Sequence, residues 1–159
     1  MPSDAEITEK FWHALKSDMT AMLGIHGVSE HMQPMTAQML EGQDFIWFFT
    51  TRDNGLVADM ARSDRAMMCF AAKSHDLFAC VNGRLETDND RATIDALWSP
   101  FAAAWYEGGK DDPNLQLIRL DPTSAQIWLN ENSLFSGIKL LLGRDPKKDY
   151  QDKVAEVAL

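Results

Sequence analysis

Short apolar runs divided by turn residues recur along this chain, and they limit its fold more than any other feature. The stretches from Met19 to His26, Ala66 to Ala72, Leu77 to Leu85, Leu115 to Leu120 and Ala125 to Leu129 each read as a strand. So do Gln33 to Leu40 and Phe45 to Thr51. Six or seven short strands with a few helices predict a mainly β chain with added helices, an α+β class, folded as a small barrel.

The sequence QPMTAQML followed by FIWFFTT predicts a hairpin. Gly42 suits the first central position of a type II′ turn. With Gly42-Gln43 as the loop, Met35 faces Thr50, Ala37 faces Phe48 and Met39 faces Ile46. Thr36, Gln38, Trp47 and Phe49 then share the other face. Hydroxyls and an amide thereby stand beside a large aromatic surface. Strand propensity alone is one reason to find threonines there; a ligand site is another.

Helix signals fill the gaps. Ser3-Asp4-Ala5-Glu6 matches a capping box, and Ile7, Phe11, Trp12 and Leu15 follow at helical spacing, predicting a helix over 4–17. Arg52 to Gly55 reads as a turn before a short helix from Leu56 to about Ser63. Asp88 or Asp90 can cap a helix bearing Ile94, Leu97, Trp98, Phe101, Ala102 and Trp105, which Pro100 should divide. Gly83 marks a possible bulge. Gly108 to Pro113 is a loop. A last helix is predicted over 134–142, with an apolar tail from Val154. With no repeat, linker or low-complexity tract, residues 1–159 read as one domain.

Charge excludes some partners. With 24 acidic and 15 basic residues, the net charge is -9. Such a surface repels nucleic acid and anionic lipid, and no strong basic patch offsets it. The acidic N-terminus lacks the apolar core of a signal peptide. No apolar run approaches the roughly 20 residues of a membrane span. Cys69 and Cys80 fit neither a zinc nor a CxxC spacing and read as buried free thiols. These features predict a soluble cytoplasmic protein.

Chemical motifs are scarce. Ser74-His75-Asp76 are adjacent and cannot converge as a triad. Asp88-Asn89-Asp90 starts like a calcium loop, but Thr93 and Ser99 occupy its glycine and glutamate positions. Gly108-Gly109-Lys110 lacks phosphate-loop spacing. His13, His26, His31 and His75 are scattered, so no metal site is expected.

Three stretches, PMTAQ, IWFFTTRDN and VNGRLETDNDRATIDALWSPFAAAWYEGGKDDPNLQLIRLDPTSAQIWL, together resemble the general-stress-protein branch of the pyridoxamine 5′-phosphate oxidase-like proteins. The resemblance runs from about Glu6 to Val157. Its most specific part is the segment from Leu97-Trp98 through Ala104–Gly109 to Asp112-Pro113. It implies an FMN-binding split β-barrel with an N-terminal helix and a C-terminal helical and strand extension. It also implies a homodimer with flavin mononucleotide (FMN) at the interface. By the same resemblance Pro34, Met35, Thr36, Phe49, Thr50 and Thr51 line the cofactor site. The following turn, with Asn54 and Leu56, helps hold the phosphate, and Trp98 and Trp105 match the tryptophans of the family's motifs.

The chain departs from the family pattern around the phosphate. The family often has arginine directly before PM, where this chain has Gln33, and lysine where it has Leu56. Arg52, threonine hydroxyls or backbone N–H groups near Gly55 could compensate. The resemblance implies an FMN-binding oxidoreductase-like stress protein of unspecified substrate. A non-catalytic dimer that binds flavin or another small ligand is the alternative, and a barrel serving only as an interaction protein is a third. The stripe of Ile94, Leu97, Trp98, Phe101 and Trp105 also points to a homodimer.

Overall fold

The computed structural model describes residues 2–130 and 154–159. Helix α1 spans Asp4–Asp18, and its capping box is formed: Ser3 Oγ accepts from the Glu6 N–H, and Glu6 Oε2 accepts from the Ser3 N–H at 2.7 Å. Ile7, Phe11 and Leu15 face the core, and Met19 ends the helix in the left-handed region at φ 65°.

Strands β1 (Thr20–Ile25), β2 (Gln33–Thr36), β3 (Ile46–Thr51), β4 (Arg65–Ala71), β5 (Leu77–Thr87), β6 (Leu115–Leu129) and β7 (Val154–Ala158) form one antiparallel sheet. Its order is β2-β1-β4-β5-β6-β3, with β7 also on β6. The sheet curls but does not close. Its two path ends, β2 and β3, are joined by the single bridge Gln38↔Trp47. This is a split β-barrel.

That bridge corrects the predicted hairpin. Gln38 and Trp47 do meet in the expected register, with both backbone bonds made. The rest of the ladder is absent. β2 pairs β1, with Met35 opposite Ala21, and β3 pairs β6 from Ile46↔Leu120 to Thr51↔Leu115. The turn differs too. The Gln43 N–H donates to the Leu40 carbonyl, so Gly42, at φ 79°, takes the second central position, as glycine does in a type II turn.

β3 is so apolar because both its faces are covered. Ile46 and Phe48 enter the barrel core, while Trp47 and Phe49 join a second cluster with Ile94, Leu97, Tyr106, Leu115 and Leu117. At the strand's start the Arg119 guanidinium lies over Phe45 at 4.9 Å and pairs with Glu86, Asp88 and Asp121. β6 runs through Pro122 as one strand rather than two. Opposite that proline the β5–β6 register shifts between Asn82 and Gly83, the expected bulge. A Cβ on Gly83 would lie 2.5 Å from the Asp121 carbonyl oxygen, so only glycine fits there.

Helix α2 is Gly55–Met60, α3 is Arg91–Leu97 and α4 is Pro100–Ala103. Asp90 caps α3, accepting from the Thr93 N–H at 3.0 Å. The extended Trp98 and Ser99 then divide α3 from α4, because a residue before proline avoids helical geometry. Cys69 and Cys80 are half-buried and free rather than fully buried. The helix predicted over 134–142 lies outside the described residues. Among the described residues no helix is long and apolar enough to cross a membrane.

Candidate functional site

The split leaves a gap that the described residues do not fill. Between the end of β2, the end of β3 and α4 lies a cavity of about 310 Å³, at the lower end of small-molecule sites. Eight of the residues singled out from sequence line it: Pro34, Met35, Thr36, Phe49, Thr50, Thr51, Asn54 and Trp105. Gln38, Phe101, Ala102 and Tyr106 complete the wall.

Strand geometry explains the mixture. β2 has just left its ladder with β1 and β3 is turning into α2, so backbone and side chains of both reach the gap. Phe49 is fixed by edge contacts, 5.9 Å to the Trp98 ring and 6.3 Å to the Tyr106 ring. Tyr106 is itself tied down, its Oη–H donating to the Thr50 carbonyl at 2.6 Å. Burial, then the nearby Asp112 charge, pushes the Tyr106 phenol up to about 12, so it stays neutral at ordinary pH. Nothing in the sequence pattern marks Tyr106 except its place in the Ala104–Gly109 segment.

Three of the singled-out residues lie off the wall. Trp98 stands behind Phe49 as a support. Leu56 is 1% exposed, its side chain in the barrel core. Gln33 lies beside the start of α2: a Cβ placed on Gly55 would stand 3.9 Å from its Nε2. The helix start also has fewer spare donors than expected. Asn54 Oδ1 accepts from the Leu56 N–H at 2.8 Å, and the Asn54 carbonyl accepts from Val57 and Ala58. Arg52 is exposed directly after Thr51.

The predicted aromatic stripe splits in two. Ile94 and Leu97 are buried against the molecule's own second cluster, whereas Phe101 and Trp105 are 63% and 73% exposed at the cavity mouth. Among the described residues lining the cavity, Tyr106 is the only ionisable side chain. Among the described residues no three histidine, cysteine or acidic side chains converge as metal ligands.

Comparison with known proteins places these features in a family. The profile described as "Pyridoxamine 5'-phosphate oxidase like" matches residues 6–150. A solved structure of the general stress FMN/FAD binding protein from Xanthomonas citri is 55% identical, with a TM-score of 0.76 over 82% of this chain and 93% of that one. A general stress family protein of Xanthomonas campestris pv. campestris is 53% identical, at TM-score 0.78 over 84% and 94% of the two chains. One described as general stress protein 26, from Jannaschia sp. CCS1, is 28% identical, at TM-score 0.79 over 98% and 99%. No curated protein matches the chain.

Proposed function

We propose that this chain, which belongs to the pyridoxamine 5′-phosphate oxidase-like family, binds FMN in the cavity at the barrel split and serves as an oxidoreductase-like stress protein. The observation that carries this reading is the composition of the wall. Hydroxyls of Thr36, Thr50 and Thr51 and amides of Gln38 and Asn54 are interleaved with Met35, Phe49, Phe101 and Trp105. A flavin has a flat, largely apolar ring edged by amide groups and a polyol chain, and such a donor set fits it. The X. citri relative, described as FMN/FAD binding, supports the same ligand.

When bound, the flavin supplies hydride and electron transfer. The chain's own residues bind, orient and exclude water. Phe49, braced by Trp98 and Tyr106, gives a stiff apolar surface, and the threonine and amide groups select polar edges. Phe101 and Trp105, exposed at the cavity mouth, are what a second copy would cover. The protein therefore works as a homodimer with the cofactor at the interface.

A second reading is a non-catalytic dimer that binds a flavin or another small ligand. One observation favours it. With Gln33 neutral, Leu56 in the core and Tyr106 un-ionised, the described lining offers neither a phosphate cation nor a proton donor that titrates near neutral pH.

The visible spectrum of protein purified without added cofactor tests both. A stoichiometric flavin band is expected; a colourless preparation that rejects added flavin overturns the first reading and leaves the second only with a ligand other than flavin. FMN at about 100 times its Kd should add roughly 2.7 kcal/mol of stability, a Tm rise of very roughly 5–10 °C. An equal rise with riboflavin would show that the phosphate is not recognised. Reoxidation of the reduced holoprotein by a panel of acceptors, compared with free flavin, separates the oxidoreductase from the binder.

A further inference from the structure

We propose that Cys69 and Cys80 are a dithiol modification site that a hydroperoxide converts to a reversible cross-strand disulfide. Neither cysteine lines the cavity, and the flavin reading does not use them. The two are direct partners in the β4–β5 ladder, and their sulfurs are 3.3 Å apart.

Ladder parity shows that this pairing suits a disulfide. At one end of the hairpin the Ala72 N–H donates to the Leu77 carbonyl; at the other the Leu85 N–H donates to the Asp64 carbonyl. Hydrogen-bonded and non-hydrogen-bonded pairs alternate along an antiparallel ladder. Stepping inward by two from either end makes Phe70↔Ala79 and Met68↔Val81 hydrogen-bonded pairs. Cys69↔Cys80 is therefore a non-hydrogen-bonded pair, the position where facing side chains come closest. Forming a bond of about 2.05 Å requires each sulfur to move by less than about 1 Å, within reach of side-chain torsion.

The pair also sits on the outward face. Met68, Phe70, Ala79 and Val81 are buried, while the cysteines between them are half-exposed. Across the sheet the row reads Met22, Cys69, Cys80, Gln126, so the thiols have a thioether on one side and a neutral amide on the other. Burial, then contact with Cys80, pushes the Cys69 thiol up to about 11. Cys69 therefore rests as a thiol until an oxidant arrives.

The step balances as follows. One sulfur, as thiolate, attacks a peroxide oxygen; the O–O bond breaks, an alcohol or water leaves, and a sulfenic acid forms. The second thiol attacks that sulfur and expels water. Two thiols lose two electrons to the peroxide and become one disulfide. A low-molecular-weight thiol reverses it by exchange.

The test uses the full chain, fully reduced and then treated with excess hydrogen peroxide. Peptide mapping should show Cys69 joined to Cys80 with the loss of two hydrogens, no thiol left to titrate, and recovery of both with dithiothreitol. The staple closes a short loop and should raise Tm by roughly 5–10 °C. In Cys69→Ser the surviving thiol, lacking its partner, should proceed to sulfinic acid under the same treatment. Disulfide-linked dimers, sulfinic acid on the wild-type cysteines, or two thiols that survive both peroxide and oxidised glutathione would each overturn the proposal.

Discussion

β5 and β6 are laced together from Leu77↔Leu129 to Thr87↔Ile118, whereas β2 and β3 share one bridge. The laced side is structural. Its bulge at Gly83 bends the sheet, and Arg119 ties β6 to Glu86 and Asp88 at its open end. The split side carries the cavity. A continuous ladder between β2 and β3 would occupy the backbone and side chains that now line it. The fold opens this gap by leaving one pairing unmade, and it supports the gap from behind with a second apolar cluster.

Adjacent residues of β3 test this division most strongly. Phe48 is fully buried in the barrel core and Phe49 faces the cavity. Phe48→Ala should cost about 3–5 kcal/mol in chemical denaturation. Phe49→Ala should cost about 2 kcal/mol and weaken flavin binding about tenfold, as read by flavin fluorescence. Equal stability losses with unchanged binding would erase the distinction between the two faces.

On the laced side, Gly83→Ala should cost about 3 kcal/mol, because the new Cβ meets the Asp121 backbone rather than a movable side chain. Flavin affinity of the folded fraction should not change. A shift in affinity would mean that the bulge shapes the cavity as well as the sheet.

On the split side, Gln33→Arg places a guanidinium beside the start of α2. A charge-assisted contact contributes roughly 1.5–3 kcal/mol, so FMN should bind at least about tenfold tighter and riboflavin nearly unchanged. Parallel titrations of wild type and variant check this. If preference for the phosphorylated ligand does not rise, the phosphate does not sit beside residue 33.

The smallest effect concerns the strut behind the cavity. Tyr106→Phe loses the bond to the Thr50 carbonyl and should cost about 1 kcal/mol. Its sign with pH is fixed by burial, which raises the folded phenol from 10.0 to about 12. The stabilising effect is full below the unfolded value. Above it the unfolded chain releases its proton first, so wild-type stability falls between about pH 10 and 12. Denaturation of Tyr106→Phe across that range should lack this part of the decline.

Sequence by itself determined whatever depends on neighbours along the chain. The Ser3–Glu6 box, a helix cap at Asp88 or Asp90 and the division at Pro100 all follow from local spacing and sterics. The segments that meet at the cavity were legible only through the family resemblance that the PMT, FTT and AWYEGG stretches carry. Tertiary structure alone decided which strand pairs with which. The apolar pattern of β3 suits either β2 or β6 as a neighbour, and only closure of the whole sheet around one core selects β6. The same long-range choice sends Leu56 into that core and brings Tyr106 onto the Thr50 carbonyl. It also sets Cys69 against Cys80, because the β4–β5 register, and not either local sequence, aligns them. Local rules act over a few residues, while register and burial are settled by contacts between segments far apart in the chain.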